Sequence, residues 1–159
     1  YKIKELQKSG KKVGFTASSF DLLHAGHYIM LEDSRKQCDY LVVALQSDPT
    51  LDLDYRMETG GKQKNKPIQT LKERIIQLEG CKYVDEISLY DTEEDLKRKL
   101  KKYYDLFGND AVRIIGKDWE GKKYTGHDLP LKCIFNSRNH NYSSSELRKR
   151  IFNFESCKK

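Results

Sequence analysis

Two histidines three residues apart, His24 and His27, stand with Gly26 in the stretch Phe20-Asp21-Leu22-Leu23-His24-Ala25-Gly26-His27. A run with strand character, Lys12 to Thr16, precedes it, and a stretch with helical spacing, Tyr28 to Arg35, follows. The eight residues therefore cross from strand to helix. At such a crossing the first backbone N–H groups of the helix lack intrahelical partners, and the helix dipole favours an anion. The spacing puts both imidazoles on one helical face, and the glycine lets a ligand approach the backbone. That combination suits phosphate chemistry. Taken alone, the pair fits ordinary helix-start histidines better. A metal site would need more ligands, and no nearby cysteine or acidic cluster supplies them.

The elements around this turn must hold it in place. Tyr40 to Leu45 is a continuous apolar run, expected of a strand buried on both faces. Strand, helix and strand in succession predict a parallel pair with a right-handed crossover. Further strands are expected at Glu86 to Tyr90, Val112 to Ile115 and Lys132 to Phe135. One helix is expected with Pro67 in its first turn, an apolar face of Leu71, Ile75, Ile76 and Leu78, and an end at Gly80. A second starts at Thr92 and buries Leu96, Leu100, Tyr103 and Tyr104, and a third opens at Ser143, with Glu146 at capping-box spacing. Residues 1–11 read as a polar lead-in with one helical turn, 152–159 as a basic tail, and Asp48 to Asn65 as a long loop. The expected fold is α/β: one Rossmann-like domain over 1–159, an open, mainly parallel five-stranded sheet with helices on both faces. In such sheets ligands bind beyond the carboxyl ends of the strands. The histidine turn, the lysine-bearing loop, the Asp118-Trp119 loop and Arg138 to Ser145 all fall on that rim.

Composition narrows the partners. Of 159 residues, 34% are charged and 37% hydrophobic, and no apolar stretch approaches the roughly 20 residues of a membrane span. A soluble protein with no membrane partner is expected. Cys38, Cys81, Cys133 and Cys157 are scattered and read as reduced thiols. With no signal-peptide pattern at the start, they give the expectation of a cytoplasmic setting. The net charge of +6 is concentrated in Lys62 to Lys66, Lys97 to Lys102 and Arg148 to Lys159. No DNA- or RNA-binding signature accompanies it, so no nucleic acid partner is expected.

The stretch from Phe20 to His27 closely resembles the His-x-Gly-His signature of the cytidylyltransferase-type nucleotidyltransferases. Gly116-Lys117-Asp118-Trp119-Glu120-Gly121-Lys122 is similar to the Gly-Asp-Asp-Trp-Glu-Gly-Lys of the glycerol-3-phosphate cytidylyltransferase group, and Tyr83-Val84-Asp85-Glu86 to its Tyr-Val-Asp-Glu. Arg138-Asn139-His140-Asn141-Tyr142-Ser143-Ser144-Ser145 stands for the second signature, Arg-Thr-x-Gly-x-Ser-Thr-Thr. Ser18-Ser19 replaces Gly-Thr, Lys117 the first aspartate, and Asn141 a glycine whose positive φ asparagine can mimic.

The resemblance implies transfer of CMP from CTP to a small phosphorylated acceptor, glycerol 3-phosphate by default, with release of pyrophosphate. It implies Mg²⁺ bridging the triphosphate, with no metal ligand assigned on the protein, and a homodimer. His24, His27, Lys66 and Arg138 are the implied catalytic residues. Ser18, Ser19, Phe20, Gly26, Lys62, Lys64, Asp118, Trp119, Ser143 and Ser144 are the implied nucleotide-binding residues. Asp21 is expected to orient a histidine or cap the turn, and Arg74 reads as a charge on a helix face, although the resemblance places an arginine there too. Two alternatives stand beside this reading. One is an ATP-dependent adenylyltransferase for a sugar phosphate, whose signature turn is almost the same. The other is a non-catalytic nucleotide- or RNA-binding module.

Overall fold

The computed structural model describes residues 2–53 and 64–158. Five strands, β1 (Val13–Ser18), β2 (Tyr40–Gln46), β3 (Glu86–Tyr90), β4 (Ala111–Gly116) and β5 (Lys132–Asn136), form one sheet in the order β3-β2-β1-β4-β5. Every pair is parallel. Among the described residues five α-helices accompany them: α1 (Lys2–Ser9), α2 (Ala25–Lys36), α3 (Leu71–Glu79), α4 (Glu93–Phe107) and α5 (Ser144–Ser156). The chain lays β2 and β3 to one side of β1, then returns to place β4 on the other. Beyond the carboxyl ends of β1 and β4 the strand order therefore reverses, and a crevice opens there.

Period-two alternation sorts the side chains into two cores. Phe15, Val42 and Ala44 meet Leu96, Leu100 and Phe107 of α4 and Leu6 of α1 on one face. Leu41, Val43, Leu45, Val112 and Ile114 meet Leu31 of α2 and Leu78 of α3 on the other. The expected α/β fold with helices on both faces is the observed one. At Gly14 a Cβ would lie 2.7 Å from Cys38 Sγ and 2.8 Å from Ile114 Cδ1, so β1 and the end of α2 close over a bare backbone.

Several boundaries differ from expectation. The lead-in is a two-turn helix, because Leu6 reaches the core. Pro67 precedes α3 rather than entering it: Thr70 is the N-cap and forms a reciprocal capping box with Glu73. Most of the expected tail is helical, since α5 continues to Ser156. Within the expected 48–65 loop, Pro49–Leu51 forms a 3₁₀ turn, and Lys62 lies outside the described residues. Cys38 and Cys81 are buried, Cys133 is half-buried and Cys157 exposed, and all four are free thiols. Among the described residues no helix is long and apolar enough to cross a membrane.

Candidate active site

After Ser18 the chain turns through two left-handed residues, Phe20 (φ 47°) and Leu22 (φ 49°). Bulky side chains rarely adopt this conformation, which costs energy and persists only where the surroundings enforce it. The enforcement is visible. Asp21, 5% exposed, accepts hydrogen bonds from the backbone N–H groups of Ile68 and Gln69, both at 2.9 Å, and from Arg148 Nη2 at 2.7 Å. Burial pushes its carboxyl up, but the Gln69 and Ile68 amides and the Arg148 guanidinium outweigh that and hold it below the usual aspartate range. Leu22 N–H donates to Gln69 Oε1 at 2.8 Å. Asp21 thus ties the approach to α3 and the body of α5 to the turn, rather than orienting a histidine.

His24 is the N-cap of α2, so the two histidines share the helix start rather than one helical face. Its Nδ1 accepts from Gly26 N–H at 3.0 Å, and His27 Nδ1 accepts from His24 N–H at 3.2 Å. With both Nδ1 atoms used as acceptors, each neutral ring carries its proton on Nε2. The His24 Nε2–H then donates to Ser144 Oγ at 3.2 Å, and the Ser144 hydroxyl to the Asp21 carbonyl at 3.3 Å. The rings stand 3.9 Å apart between centroids. Burial lowers the His24 pKa, helped by His140 and Arg138. Burial, then His24, lowers that of His27 to about 4, against an upward pull from Asp21. Both rings are neutral donors at neutral pH.

The start of α5 meets the start of α2 here. Ser143 caps α5 by accepting from Glu146 N–H at 3.1 Å, and Ser144 reaches His24. Two positive helix ends thus face one space.

That space has two compartments, separated by the ends of β1 and β4. The first, about 360 Å³, is walled by His24, Gly26 and His27 on one side and by Asp118, Trp119, Arg138, Ser143 and Ser144 on the other. The second, about 440 Å³, opens on the α4 side and is lined by Ser18, Ser19, Lys64, Trp119 and Ser144 among the expected residues. Ser18 touches both compartments, and Trp119, 40% exposed, walls both rather than packing in a core.

Phe20 and Lys66 are placed differently. Phe20 is 1% exposed and packs in the core beneath His27, 5.5 Å between centroids. It supports the site from below and lines neither compartment. Lys66 is exposed and lines a separate depression with Asp48 and Pro67. Asn141 has no positive φ; among the described non-glycine residues the left-handed backbone is at Phe20 and Leu22 instead.

Arg74 is a correction. It is 2% exposed and donates through Nη1 to the carbonyls of Ser19 (2.9 Å) and Gln46 (2.7 Å), and through Nη2 to that of Ser47. It locks the ends of β1 and β2 instead of lying on a helix surface. His140 and Arg148 were not picked out from the sequence. His140 Nδ1 accepts from Tyr142 N–H at 3.1 Å and its ring overlies Gly26. Its position inside the second signature was the available signal; Arg148, one turn beyond Ser144 on α5, had only helical spacing.

Gly26 has no room for a side chain. A Cβ there would lie 2.8 Å from His140 Cε1, 2.9 Å from His24 Cε1 and 3.0 Å from Tyr142 Cβ. Gly26→Ala should displace His24 and cost about 100-fold in turnover, since displacements of about 1 Å in a reacting constellation have effects of this size. Circular dichroism should show the fold retained, and a change in rate under about threefold would argue against the tight fit at Gly26.

Fold and site together define a nucleotidyltransferase: a parallel sheet with a histidine-bearing helix start beside a second helix start at the strand-order reversal. A cytidylyltransferase-like family profile matches residues 15–150, and the chain belongs to that family. Among its curated relatives, the Bifunctional protein HldE of Campylobacter curvus is 34% identical over 125 residues, 77% of this chain and 24% of that protein. The HldE of Campylobacter concisus is 35% identical over 123 residues, 77% of this chain and 23% of that protein. The chain thus spans about a quarter of the length of these relatives. Its fold is similar to that of a lipopolysaccharide core biosynthesis protein from Thermoplasma volcanium, with a TM-score of 0.54 and 22% identity, over 84% of this chain and 99% of that one.

His27 also makes stability pH-dependent. Its pKa is about 4 in the fold against an ordinary 6.5. Above pH 6.5 the ring is neutral in both states and contributes nothing to the pH dependence. As pH falls from 6.5 toward 4 the unfolded chain takes up a proton that the fold refuses, so stability declines, by about 3 kcal/mol at 1.36 kcal/mol per pKa unit. Urea midpoints at pH 7 and pH 4.5 should therefore separate less in His27→Asn than in the parent. Equal separations would remove His27 as the cause.

Proposed function

We propose that this chain is an ATP-dependent adenylyltransferase that transfers AMP to a small sugar phosphate. The observation that carries the chemistry is the pair of neutral Nε2–H donors at the start of α2, held against the start of α5 through Ser144. An oxygen of the acceptor phosphate attacks the α-phosphorus. The bond from that phosphorus to the α–β bridging oxygen breaks, and pyrophosphate leaves with its electron pair. The acceptor phosphate is already ionised, so no general base is needed. The protein's task is alignment and stabilisation of negative charge. His24 and His27 donate to the α-phosphate and bridging oxygens. Arg138, Ser143 and the α5 amides receive the outer phosphates. The 360 Å³ compartment takes the nucleotide and the 440 Å³ compartment the acceptor, with Ser18 and Ser19 between them.

Likeness to the HldE proteins supports the sugar-phosphate branch over CMP transfer to glycerol 3-phosphate. The Trp119-Glu120-Gly121 loop is the feature that favours CTP. Among the described residues no group of three or more His, Cys, Asp or Glu could hold a metal. Mg²⁺ carried mainly by substrate oxygens belongs to the same proposal and would neutralise triphosphate charge. A homodimer belongs to the same proposal, and sedimentation would test it.

The deciding experiment measures pyrophosphate release with Mg²⁺ over a grid of four nucleoside triphosphates and a panel of sugar phosphates plus glycerol 3-phosphate. ATP with a sugar phosphate is the expected pair. Release with CTP and glycerol 3-phosphate would move the assignment to cytidylyl transfer. Silence across the grid from folded protein that binds ATP would reject the proposed transfer.

A further inference from the structure

Arg113 sits in the middle of β4, opposite Phe15 of β1, and is 5% exposed. Its side chain lines the 440 Å³ compartment. A buried guanidinium is costly unless its charge is paired and its donors are used. Here Nη1 makes a long bond of 3.4 Å to the Phe15 carbonyl, and Nε has no partner among the described residues.

The carboxylates around the compartment are engaged elsewhere. Glu93 Oε1 holds Lys64 Nζ at 3.0 Å and Glu93 Oε2 accepts from the Thr125 hydroxyl at 2.6 Å, while Asp21 is held by Arg148 at 2.7 Å. Glu93, Tyr90, Cys133 and Tyr124 act on Arg113 through its charge, but no ion pair to it occurs among the described residues. Among the described residues, the other two cations that line the compartment are matched by Glu93 and Asp21, which leaves the charge of Arg113, at the floor, as the one without a paired carboxylate.

Depth separates this charge from the reacting centre. Ser18, at the rim, lies three residues beyond Phe15 along β1, about 10 Å at roughly 3.3 Å per residue. An acceptor with its reacting phosphate at Ser18 and Ser19 would extend its far end to Arg113.

We propose that Arg113 sets acceptor specificity by receiving, on Nε and the adjacent Nη, an acidic group at the end of the acceptor remote from the reacting phosphate. A planar guanidinium takes a carboxylate or a phosphate at two points, so the acceptor is a phosphorylated sugar bearing a second anionic group. This rests on the assignment of the 440 Å³ compartment to the acceptor.

Nitrogen-15 NMR of the arginine Nε–H groups tests it on the whole chain. The probes are glucuronic acid 1-phosphate, glucose 1,6-bisphosphate and glucose 1-phosphate. The Arg113 Nε–H signal, assigned by side-chain-to-backbone correlations in the unmodified protein and checked by its loss in Arg113→Gln, should move with one or both of the first two. At least one should bind about tenfold or more tightly than glucose 1-phosphate, and the stronger shows whether the group is a carboxylate or a phosphate. In Arg113→Met and Arg113→Gln that preference should vanish, while ATP still shifts the Gly26 amide. If neither variant folds, the titrations of the unmodified protein decide alone. Equal affinity for all three probes, or no movement of Arg113 Nε–H with either acidic probe, overturns the proposal. Failure of ATP to shift the Gly26 amide would count against the adenylyltransferase reading and leave the Arg113 result standing on its own.

Discussion

Replacing His27 by asparagine should lower the rate of nucleotidyl transfer by about a hundredfold to a thousandfold, the size expected when one donor to a developing oxyanion is removed. Asparagine is the informative replacement because its amide oxygen can stand where Nδ1 stands, accepting from the His24 N–H and keeping the α2 cap. What it lacks is the Nε2–H that the proposed reaction directs at the α-phosphate. Alanine would lose both, and the cap alone is worth about 1 kcal/mol of stability. His24→Asn should behave alike, since His24 Nδ1 caps Gly26 N–H and its Nε2 reaches Ser144. The effect should fall on kcat, with ATP affinity changed little, because the interaction strengthens as charge accumulates on the α-phosphate oxygens. A loss under about threefold in a folded His27→Asn variant would remove this histidine from the reaction.

The largest expected loss of stability lies outside the histidine pair. Arg74→Leu should destabilise the fold by about 3–5 kcal/mol, because one buried and two part-buried carbonyls lose their donor at about 1–3 kcal/mol each, less whatever water recovers at the part-buried two. Those carbonyls belong to Ser19, Gln46 and Ser47, where β1 and β2 deliver their chains to the site. Leucine fills part of the volume, so the loss reports hydrogen bonding more than cavity formation. Arg74→Lys should recover part of it by reaching one carbonyl. Urea unfolding of the three proteins checks this, and a loss below about 1 kcal/mol in Arg74→Leu would mean that Arg74 does not clamp the strand ends.

The two effects are linked by the strained turn. Phe20 and Leu22 hold left-handed backbone because Arg74 fixes the carbonyl before them and Asp21 anchors the residue between them to Ile68, Gln69 and Arg148. The strain is carried by α3 and α5, and what it secures is the placement of His24 and His27 at the head of α2.

Local chemistry made much of this legible from residue order. The histidine turn reads as a phosphate-binding helix start because capping and dipole act within one helical turn. Thr92 and Ser143 cap their helices as expected. The apolar run Tyr40 to Leu45 is a central strand because a strand covered on both faces needs no polar side. Strand, helix and strand order was enough for a parallel sheet with its crevice at the carboxyl rim.

Tertiary structure alone decided which charges are buried. Arg74 occupies an ordinary position on a short helix, and only the packing of α3 over the ends of β1 and β2 turns it into a clamp. Arg113 interrupts an apolar strand, and whether its charge meets a carboxylate or a cavity depends on α4 and on the segment carrying Tyr124, both distant in sequence. Asp21, inside the signature, took its partners from residues 47, 48 and 127 positions away. Local pattern determined the backbone elements and the histidine pair, because hydrogen-bonding periodicity and helix capping are short-ranged. The pairing or isolation of buried charge is settled by contacts between remote segments, so it appeared only when the chain was folded.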